Sequence, residues 1–320
     1  MPSSGTFFIR QPAVAGSFYP SDPAKCASTA AALLRAGFDN QQPIGPAGMA
    51  EQAAADQSQW IGAIVPHAGW ICSGAIAGQS IAALAGLAPR ADGSAAAWRP
   101  DVVVVFGAIH TPIPASTAML SSADAWAEPG GTSPVNGELD AKLKEQAGMF
   151  AVDDRFHQRE HAVEVELPLI QSAWPGVGIL PVEVPLTEAA AGIGRYTARQ
   201  AAAAGLKAVF LASSDLTHYG PGYRFAPAGV GPQGLAWAKD NDRRLLDLVT
   251  AMAIDRIVPH VREHANACGG GAIAAMLAAC LESGAARALV LRHANSFETL
   301  ATVAPQRPID AVGYAAVIVG

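Results

Sequence analysis

The fold is indicated most clearly by residues 101–110, which read DVVVVFGAIH. Four valines and a phenylalanine in succession predict a β-strand that is buried on both faces, because a strand with one face in water alternates apolar and polar residues. Comparable apolar runs are predicted as strands at residues 61–65, 177–182, 207–211, 288–292 and 311–319. Strands of this kind are typical of a sheet that has helices packed on both sides.

Helical segments separate these runs. Apolar spacing predicts helices at residues 74–87, 139–147, 189–205, 235–252 and 271–282. The alternation of strands and helices predicts an α/β fold with a central, mostly parallel sheet and helices on both faces. Residues 40–59 and 89–100 are rich in Gly, Pro, Ala and Ser and are predicted as loops. Because α/β folds often reach roughly 250 residues or more as one unit, we expect residues 1–320 to form one domain.

Composition and charge argue against nucleic-acid-binding and membrane-spanning proteins. The chain has 21 Lys+Arg, 27 Asp+Glu and a formal net charge of -6, without a basic stripe, so we expect no nucleic-acid partner. The sequence shows no apolar run of about 18 residues and no signal-peptide pattern, so we expect no membrane span. Cysteines at 26, 72, 268 and 280 form no CxxC pair. This spacing indicates reduced thiols in a cytoplasmic protein and excludes a zinc ribbon.

Histidines follow several predicted strands directly. His67 lies in the segment PHAGW after one strand, His110 ends the stretch quoted above, and Asp215 and His218 follow a third strand. In open α/β sheets, sites form where the carboxyl ends of the strands meet, so we expect these side chains at one edge of the sheet. The alternative for each histidine taken alone is a loop residue bonded to backbone groups.

Cys268 is a third candidate ligand. It precedes three glycines, in a turn that opens a predicted helix. The N-terminus of a helix carries roughly +0.5 of a charge, which lowers the pKa of a thiol and favours the thiolate that binds metals. The alternative is a small buried cysteine, which is our interpretation of Cys280. One thiolate with two imidazoles suits zinc, copper or iron, and three protein ligands leave a position open, as in catalytic sites.

Two further clusters contain groups that can move protons. Asp215 and His218 predict a general acid/base pair, and the alternative is a turn in which Asp215 caps the following backbone. His161 shares a helical face with Glu164 in a second cluster, whereas for Glu166 we expect a solvated face. The other histidines have no partner pattern, so surface or capping positions are expected for His157, His260, His264 and His293.

Several motifs resemble those of the Memo family and occur in the family's order along nearly the whole chain. They are RQPAVAGSFYP at residues 10–20, PHAGW at 66–70, EHAVEVELP at 160–168, SSDLTHYG at 213–220 and the segment around Cys268. Bacterial and archaeal members are known as AmmeMemoRadiSam system protein B. The resemblance implies a fold like that of the catalytic subunit of class III extradiol ring-cleavage dioxygenases, which hold non-haem Fe(II) with two His and one Glu.

The resemblance also implies roles for individual residues. It places Cys268 where the dioxygenases have Glu, and it matches His67 and His110 to the two histidine ligands. His218 falls at the position of the acid/base histidine. The implied aromatic walls of the pocket are Phe18 and Trp70. Two positions at which the family usually has Pro carry alanine instead, Ala108 and Ala272.

The expected function is that of a metal-dependent redox enzyme related to these dioxygenases. Iron or copper, with zinc as a further candidate, is expected on the two histidines and the cysteine. His218, Asp215 and His161 are then expected to serve as acid/base and substrate-orienting groups. The alternative is a non-catalytic binding or adaptor protein whose cleft holds a peptide or small-molecule ligand. The family resemblance also implies functional partners in the AmmeMemoRadiSam system.

Overall fold

A nine-stranded sheet forms the centre of the computed structural model, which describes residues 7–39, 60–86, 99–301, 303 and 309–320. The predicted loop at residues 40–59 and most of the one at 89–100 lie outside the described residues. The strands, including those of a smaller second sheet, are β1 Ile9–Arg10, β2 Gly62–Val65, β3 Val102–Gly107, β4 Ala118–Leu120, β5 Ala125–Glu128, β6 Gly131–Pro134, β7 Phe150–Val152, β8 Gly178–Glu183, β9 Ala208–Ser213, β10 His218–Tyr219, β11 Ala288–Asn295 and β12 Ala311–Val319.

Strand direction differs between the centre and the flanks of the main sheet. The order is β10-β12-β2-β9-β3-β8-β4-β7, with β11 also paired to β12. The four central strands, β2, β9, β3 and β8, are parallel, whereas β12 is antiparallel to β2 and β4 is antiparallel to β8. The α/β fold is therefore confirmed, but the expectation of a mostly parallel sheet is correct only at the centre. An apolar run indicates that a strand is buried on both faces but does not indicate its direction. All nine residues of β12 are buried, although this strand is antiparallel to β2.

Helices cover both faces of this sheet. They are α1 Pro23–Asp39, α2 Trp70–Leu84, α3 Gly137–Lys144, α4 Leu167–Ala173, α5 Ala190–Ala203, α6 Pro232–Thr250, α7 Ile254–His264, α8 Gly270–Glu282 and α9 Ser296–Thr299. Single 3-10 turns occur at Asp154–Phe156, Glu164–Glu166 and Pro221–Tyr223. Among the described residues, no helix combines the length and the apolar character needed to cross a bilayer.

Two hydrophobic cores lie on opposite sides of the sheet. Along β3, Val102, Val104 and Phe106 pack into the core beneath α3 and α5–α8, while Val103 and Val105 pack into the core beneath α1, α2 and α4. This alternation follows from the two-residue period of side chains along a strand. It explains why the quoted stretch has no polar residue between 102 and 106.

A small three-stranded sheet packs beside the main one. Its order is β1-β5-β6, with β5 and β6 joined as an antiparallel hairpin through Gly130, whose φ is 94°. The two-residue strand β1 pairs in parallel with β5, at Ile9 and Arg10. This pairing fixes the N-terminal segment against the body of the protein.

Helices α5 and α8 approach each other closely at Gly194. A Cβ atom built at this position would overlap the carbonyl group of Ala275 in α8. Gly192, on the same helix, has room, since a Cβ there would meet only Met149 Cε at 3.9 Å. Helix packing therefore requires glycine at position 194 but not at position 192.

We expect Gly194→Ala to lower the free energy of unfolding by about 1–3 kcal/mol, because the added methyl group forces the two helices apart. Gly192→Ala is the matched control and should be neutral or stabilise by up to about 1 kcal/mol, since alanine is the better helix former. Urea denaturation followed by circular dichroism measures both. Equal effects at the two positions would show that α5 and α8 are not packed as described.

Candidate metal-binding site

The carboxyl ends of the central parallel strands carry the predicted site residues. His67 lies two residues beyond the end of β2, Asp215 two residues beyond β9, and His110 three residues beyond β3. Cys268 reaches the same edge from the segment before α8, where its backbone N–H donates to the carbonyl oxygen of Asp215 at 3.3 Å. The structure thus brings together residues that are far apart in the sequence.

Three imidazoles and one thiol share this edge. The ligand nitrogens of His67, His110 and His161 all lie within 4.8 Å of one another. Cys268 Sγ lies 3.3 Å from His67 Nε2. His67 is buried, whereas the side chains of His110 and His161 are 31% and 21% exposed. The cluster is therefore closed on the side of His67 and open towards solvent beside the other two rings.

Ser213 fixes the orientation of the His67 ring. Its Oγ lies 2.9 Å from His67 Nδ1 and donates its single proton to the carbonyl oxygen of Ala162 at 2.6 Å. The hydroxyl must therefore accept from Nδ1–H, which leaves the lone pair of Nε2 free on the side of Cys268. This is the tautomer that a metal-binding imidazole needs, and such outer partners commonly orient histidine ligands.

Glu160 orients the other two histidines. Its carboxylate accepts from the backbone N–H of His110 at 2.7 Å and lies 2.8 Å from His110 Nδ1. It also accepts from the backbone N–H groups of His161 at 2.8 Å and Ala162 at 3.1 Å. One buried carboxylate therefore holds the loop after β3 against the segment that begins at residue 160. The sequence showed Glu160 only as part of a polar cluster.

Charge at this edge is concentrated on Glu160 and His110. Burial alone raises the pKa of Glu160, but hydrogen bonds from the ring and backbone of His110 outweigh it and lower the pKa to about 2. Burial favours neutral His110, yet hydrogen bonds to Cys268 and Glu160 raise its pKa to about 10. The pair therefore carries opposite charges near neutral pH.

The expected activation of Cys268 by a helix N-terminus is not found. Burial raises the pKa of its thiol, and the hydrogen bond with His110 offsets this only in part. Cys268 precedes the first residue of α8 by two positions, so desolvation outweighs the partial charge of the helix. The expectation of a lowered thiol pKa is therefore wrong. All four cysteines are free, as expected for reduced thiols.

Asp215 and His218 do not form a direct hydrogen bond. His218 Nε2 lies 3.9 Å from Asp215 Oδ2, while Asp215 Oδ1 accepts from the backbone N–H groups of His67 at 2.9 Å and Ala68 at 3.3 Å. Asp215 therefore caps the loop that carries His67, and not the backbone that follows Asp215 itself as in the alternative interpretation. Burial, together with the nearby His110 and His161, lowers the pKa of His218 to about 4. His218 is neutral at pH 7 and can accept a proton.

The two predicted aromatic residues occupy different environments. The Phe18 ring lies 4.9 Å from the ring of His161, in an edge arrangement, and so borders the site. Trp70 is buried, donates from Nε1 to the carbonyl oxygen of Val165 at 3.2 Å, and packs 5.5 Å from the ring of Tyr19. Its role as a wall of the pocket stays a prediction.

Comparison with known proteins agrees with the motifs. Residues 10–318 match the family model described as Memo-like protein. The chain belongs to the Memo family. One similar protein is the MEMO1 family protein of Methanosarcina barkeri, which is 31% identical over 97% of this chain and 100% of the relative. Another, from Methanococcoides burtonii, is 32% identical over 97% of this chain and 100% of the relative. A third, from Methanothermobacter thermautotrophicus, is 31% identical over 90% of this chain and 94% of the relative.

In this Memo-family chain, the N-terminal motif is held by a buried ion pair between Arg10 and Glu164. Glu164 also accepts from the backbone N–H groups of Ala13 at 2.7 Å and Val14 at 2.9 Å, and from the Tyr19 hydroxyl at 2.8 Å. The pair fixes the segment that positions Phe18 beside the site. This ion pair was not predicted from the sequence. The available signal was that the motifs at residues 10–20 and 160–168 each contain a charged residue, Arg10 and Glu164.

Glu166 does not lie on a solvated face, so that expectation is wrong. Its side chain is fully buried, with Oε1 3.3 Å from Ser213 Oγ, and burial raises its pKa well above the usual range. Residues Glu164–Glu166 form a 3-10 turn instead of an α-helix, so the face expected from α-helical spacing does not exist.

Two of the histidines expected at the surface are buried. His157 has no exposed surface, and its Nδ1 lies 3.7 Å from Glu183 Oε1. His293 is 3% exposed, with Nε2 2.9 Å from Asp242 Oδ2. The surface expectation is wrong for both, because the side chains that lie beside them come from elements distant in the sequence.

We expect Ser213→Ala to weaken metal binding by about 10–100-fold, because the His67 ring loses the group that orients its Nδ1–H. Ser80→Ala is the matched control, because Ser80 is also a buried serine and its hydroxyl donates to the carbonyl oxygen of Ile64, outside the cluster. Titration calorimetry with Zn²⁺ on both variants tests this. Equal affinities for the two would remove Ser213 from the site.

Glu183 should make the stability of the fold fall as pH rises. Its carboxylate is fully buried and has no hydrogen-bond partner among the described residues, and burial raises its pKa well above the usual range. The folded state therefore keeps a proton that the unfolded chain loses above the ordinary glutamate pKa. The stabilisation of the folded state is then lost as pH rises towards the raised value.

Glu183→Gln removes this ionisation. The Tm of the variant relative to wild type should therefore increase between about pH 5 and about pH 9. Glu145→Gln, at a side chain that is 67% exposed, is the control and should show no such trend. Parallel Tm profiles for wild type and Glu183→Gln would contradict the prediction.

Proposed function

We propose that this chain holds one redox-active metal ion through His67, His110 and Cys268 and performs oxidation chemistry related to that of the non-haem iron dioxygenases. The observation that carries the proposal is the 3.3 Å separation of Cys268 Sγ and His67 Nε2, together with a donor nitrogen of His110 within 4.8 Å of that of His67. A thiolate with imidazoles suits iron or copper, which are redox-active, and zinc, which is not, is a further candidate for the same ligands. Four free thiols are consistent with action in the cytoplasm.

The residues around these ligands fit such a metal. Ser213 and Glu160 each take an Nδ1–H, so that Nε2 of His67 and of His110 is left to bind. When bound, the metal would supply the redox chemistry. Asp215 holds the loop of His67, and Phe18 borders the space that we assign to a small-molecule or peptide ligand.

Proton transfer is the role that we assign to His218. Its ring is neutral at pH 7, and its side chain is 36% exposed, so it can take a proton from a bound hydroxyl group and pass it to water. His161, with its Nδ1 3.3 Å from Glu160 Oε1, is a second acid/base or orienting group in this proposal. Asp215 contributes by positioning the loop, since it does not bond to His218 directly.

One observation favours a second candidate, a non-catalytic protein that binds a peptide or small molecule in the same cleft. Asp215 and His218 do not form the hydrogen bond that a coupled acid/base pair would use. In this alternative the cleft holds its ligand without turnover. Functional partners within the AmmeMemoRadiSam system are proposed for either candidate.

The experiment combines metal analysis with oxygen uptake. Protein purified without chelators is analysed for its metals, then loaded anaerobically with iron and exposed to oxygen with a panel of catechols and other phenols. Uptake that depends on one of these compounds supports the enzyme. Ligand binding without uptake would support the second candidate, and failure to bind any of the three metals would reject the proposed site.

We expect His218→Ala to keep the metal stoichiometry of wild type while lowering turnover by about 10²–10⁴-fold, because it removes a proton-transfer group but no ligand. His67→Ala should lose both metal and turnover. His264→Ala, at a half-buried histidine at the end of α7, is the control and should change neither. Loss of metal in His218→Ala would make His218 a ligand and contradict this division of roles.

A further inference from the structure

The His161 ring lies against the rings of both His67 and His110. Its ring centroid lies 5.2 Å from that of His67 and 4.5 Å from that of His110, while the rings of His67 and His110 are 5.1 Å apart. The three rings therefore form a nearly equilateral triangle. The donor nitrogens of all three lie within 4.8 Å of one another, so each could reach an ion held between them.

The His161 ring lies beside the same carboxylate that is hydrogen-bonded to the His110 ring. Glu160 Oε1 lies 2.8 Å from Nδ1 of His110 and 3.3 Å from Nδ1 of His161. The same oxygen accepts the backbone N–H of His161 at 2.8 Å. With Nδ1 beside this carboxylate, Nε2 is the nitrogen left for a ligand role. One carboxylate behind two imidazoles is the outer partner that metal-bound histidines commonly have.

We infer that His161 is a fourth protein donor to the metal, so that the site has three imidazole nitrogens and one sulfur. This inference rests on the proposed metal site and changes one role in it, since His161 becomes a ligand instead of an acid/base group. The sulfur joins this set through His67, the imidazole beside it. Two donors on one tetrahedral ion, with bonds of about 2.0–2.3 Å, lie about 3.3–3.7 Å apart. The separation of 3.3 Å between Cys268 Sγ and His67 Nε2 is already in this range.

A fourth donor alters what different metals can do at this site. For zinc, four protein ligands complete a tetrahedron, which is the pattern of a closed site. A metal that takes more than four ligands keeps positions for a substrate even with all four donors bound. The identity of the metal would then decide whether the same residues form a holding site or a reactive one. The soft sulfur and three imidazoles also disfavour magnesium and calcium.

The test is X-ray absorption spectroscopy of the full chain loaded with one equivalent of Zn²⁺ alone. We expect the wild-type protein to show three imidazoles and one sulfur around zinc. His161→Gln should show one imidazole fewer and bind zinc at least about 100-fold more weakly, because loss of a ligand exceeds the cost of losing an outer partner. His264→Gln is the matched control, since its side chain is 27% exposed against 21% for His161.

Each other outcome is distinguishable. Two imidazoles and one sulfur in wild type, unchanged in His161→Gln, would overturn this inference while leaving the proposed metal site intact. Three imidazoles without sulfur would overturn the four-donor set by removing Cys268. No zinc bound by wild type would reject the proposed site and this inference together. The wild-type donor count requires no variant, so it is decisive even if His161→Gln is unstable.

Discussion

The constraint on which the rest of the structure depends is the common direction of the four central strands. In the ladder, Val65 of β2 and Gly107 of β3 both pair with Ser213 of β9, and Gly107 also pairs with Glu183 of β8. These four residues form one row across the sheet. Every residue two or three positions beyond the row must then emerge at the same edge. The clustering of site residues therefore follows from the strand register.

The short segment 160–164 converts this edge into a defined site. Glu160 holds the loop after β3, the carbonyl group of Ala162 accepts from Ser213 at the end of β9, and Glu164 holds the N-terminal motif through Arg10. Three distant parts of the chain therefore meet on five consecutive residues. Because these carboxylates are buried, leaving either without its partners would cost the full penalty of an unpaired buried charge. This gives the site a rigid frame before any ligand binds.

Much of the fold could be predicted from the sequence because buried strands and long helices leave strong periodic signals. The strand predicted at residues 311–319 has the observed bounds, and the helix predicted at 271–282 begins one residue late. The strands β4 to β7 were missed because three or four residues carry too little pattern. Helix α1 was also missed, and α2 begins four residues before its predicted start, at the tryptophan that follows PHAG.

The candidate site was predictable only in part, for a physical reason. His67, His110 and Cys268 stand beside strand ends or a glycine-rich turn, and this local context signals their location. The partners that set their protonation do not carry such a signal. Ser213 is the last residue of β9, a position that many polar residues could occupy. Glu183 is the last residue of β8, and nothing in the sequence indicates that its carboxylate is buried. Burial also reversed the expected effect of the helix terminus on Cys268, since desolvation depends on the whole fold.

The distance along the chain between the donors has a consequence for the time at which the site appears. His67 and Cys268 are separated by 201 residues. At synthesis rates of about 5–20 residues per second, roughly 10–40 s pass on the ribosome between the appearance of the first and the last of them. Throughout that interval His67 is present while the thiol it faces in the finished protein has yet to be made. The donor set therefore cannot assemble before Cys268 has been synthesised, whatever part of the chain has folded by then.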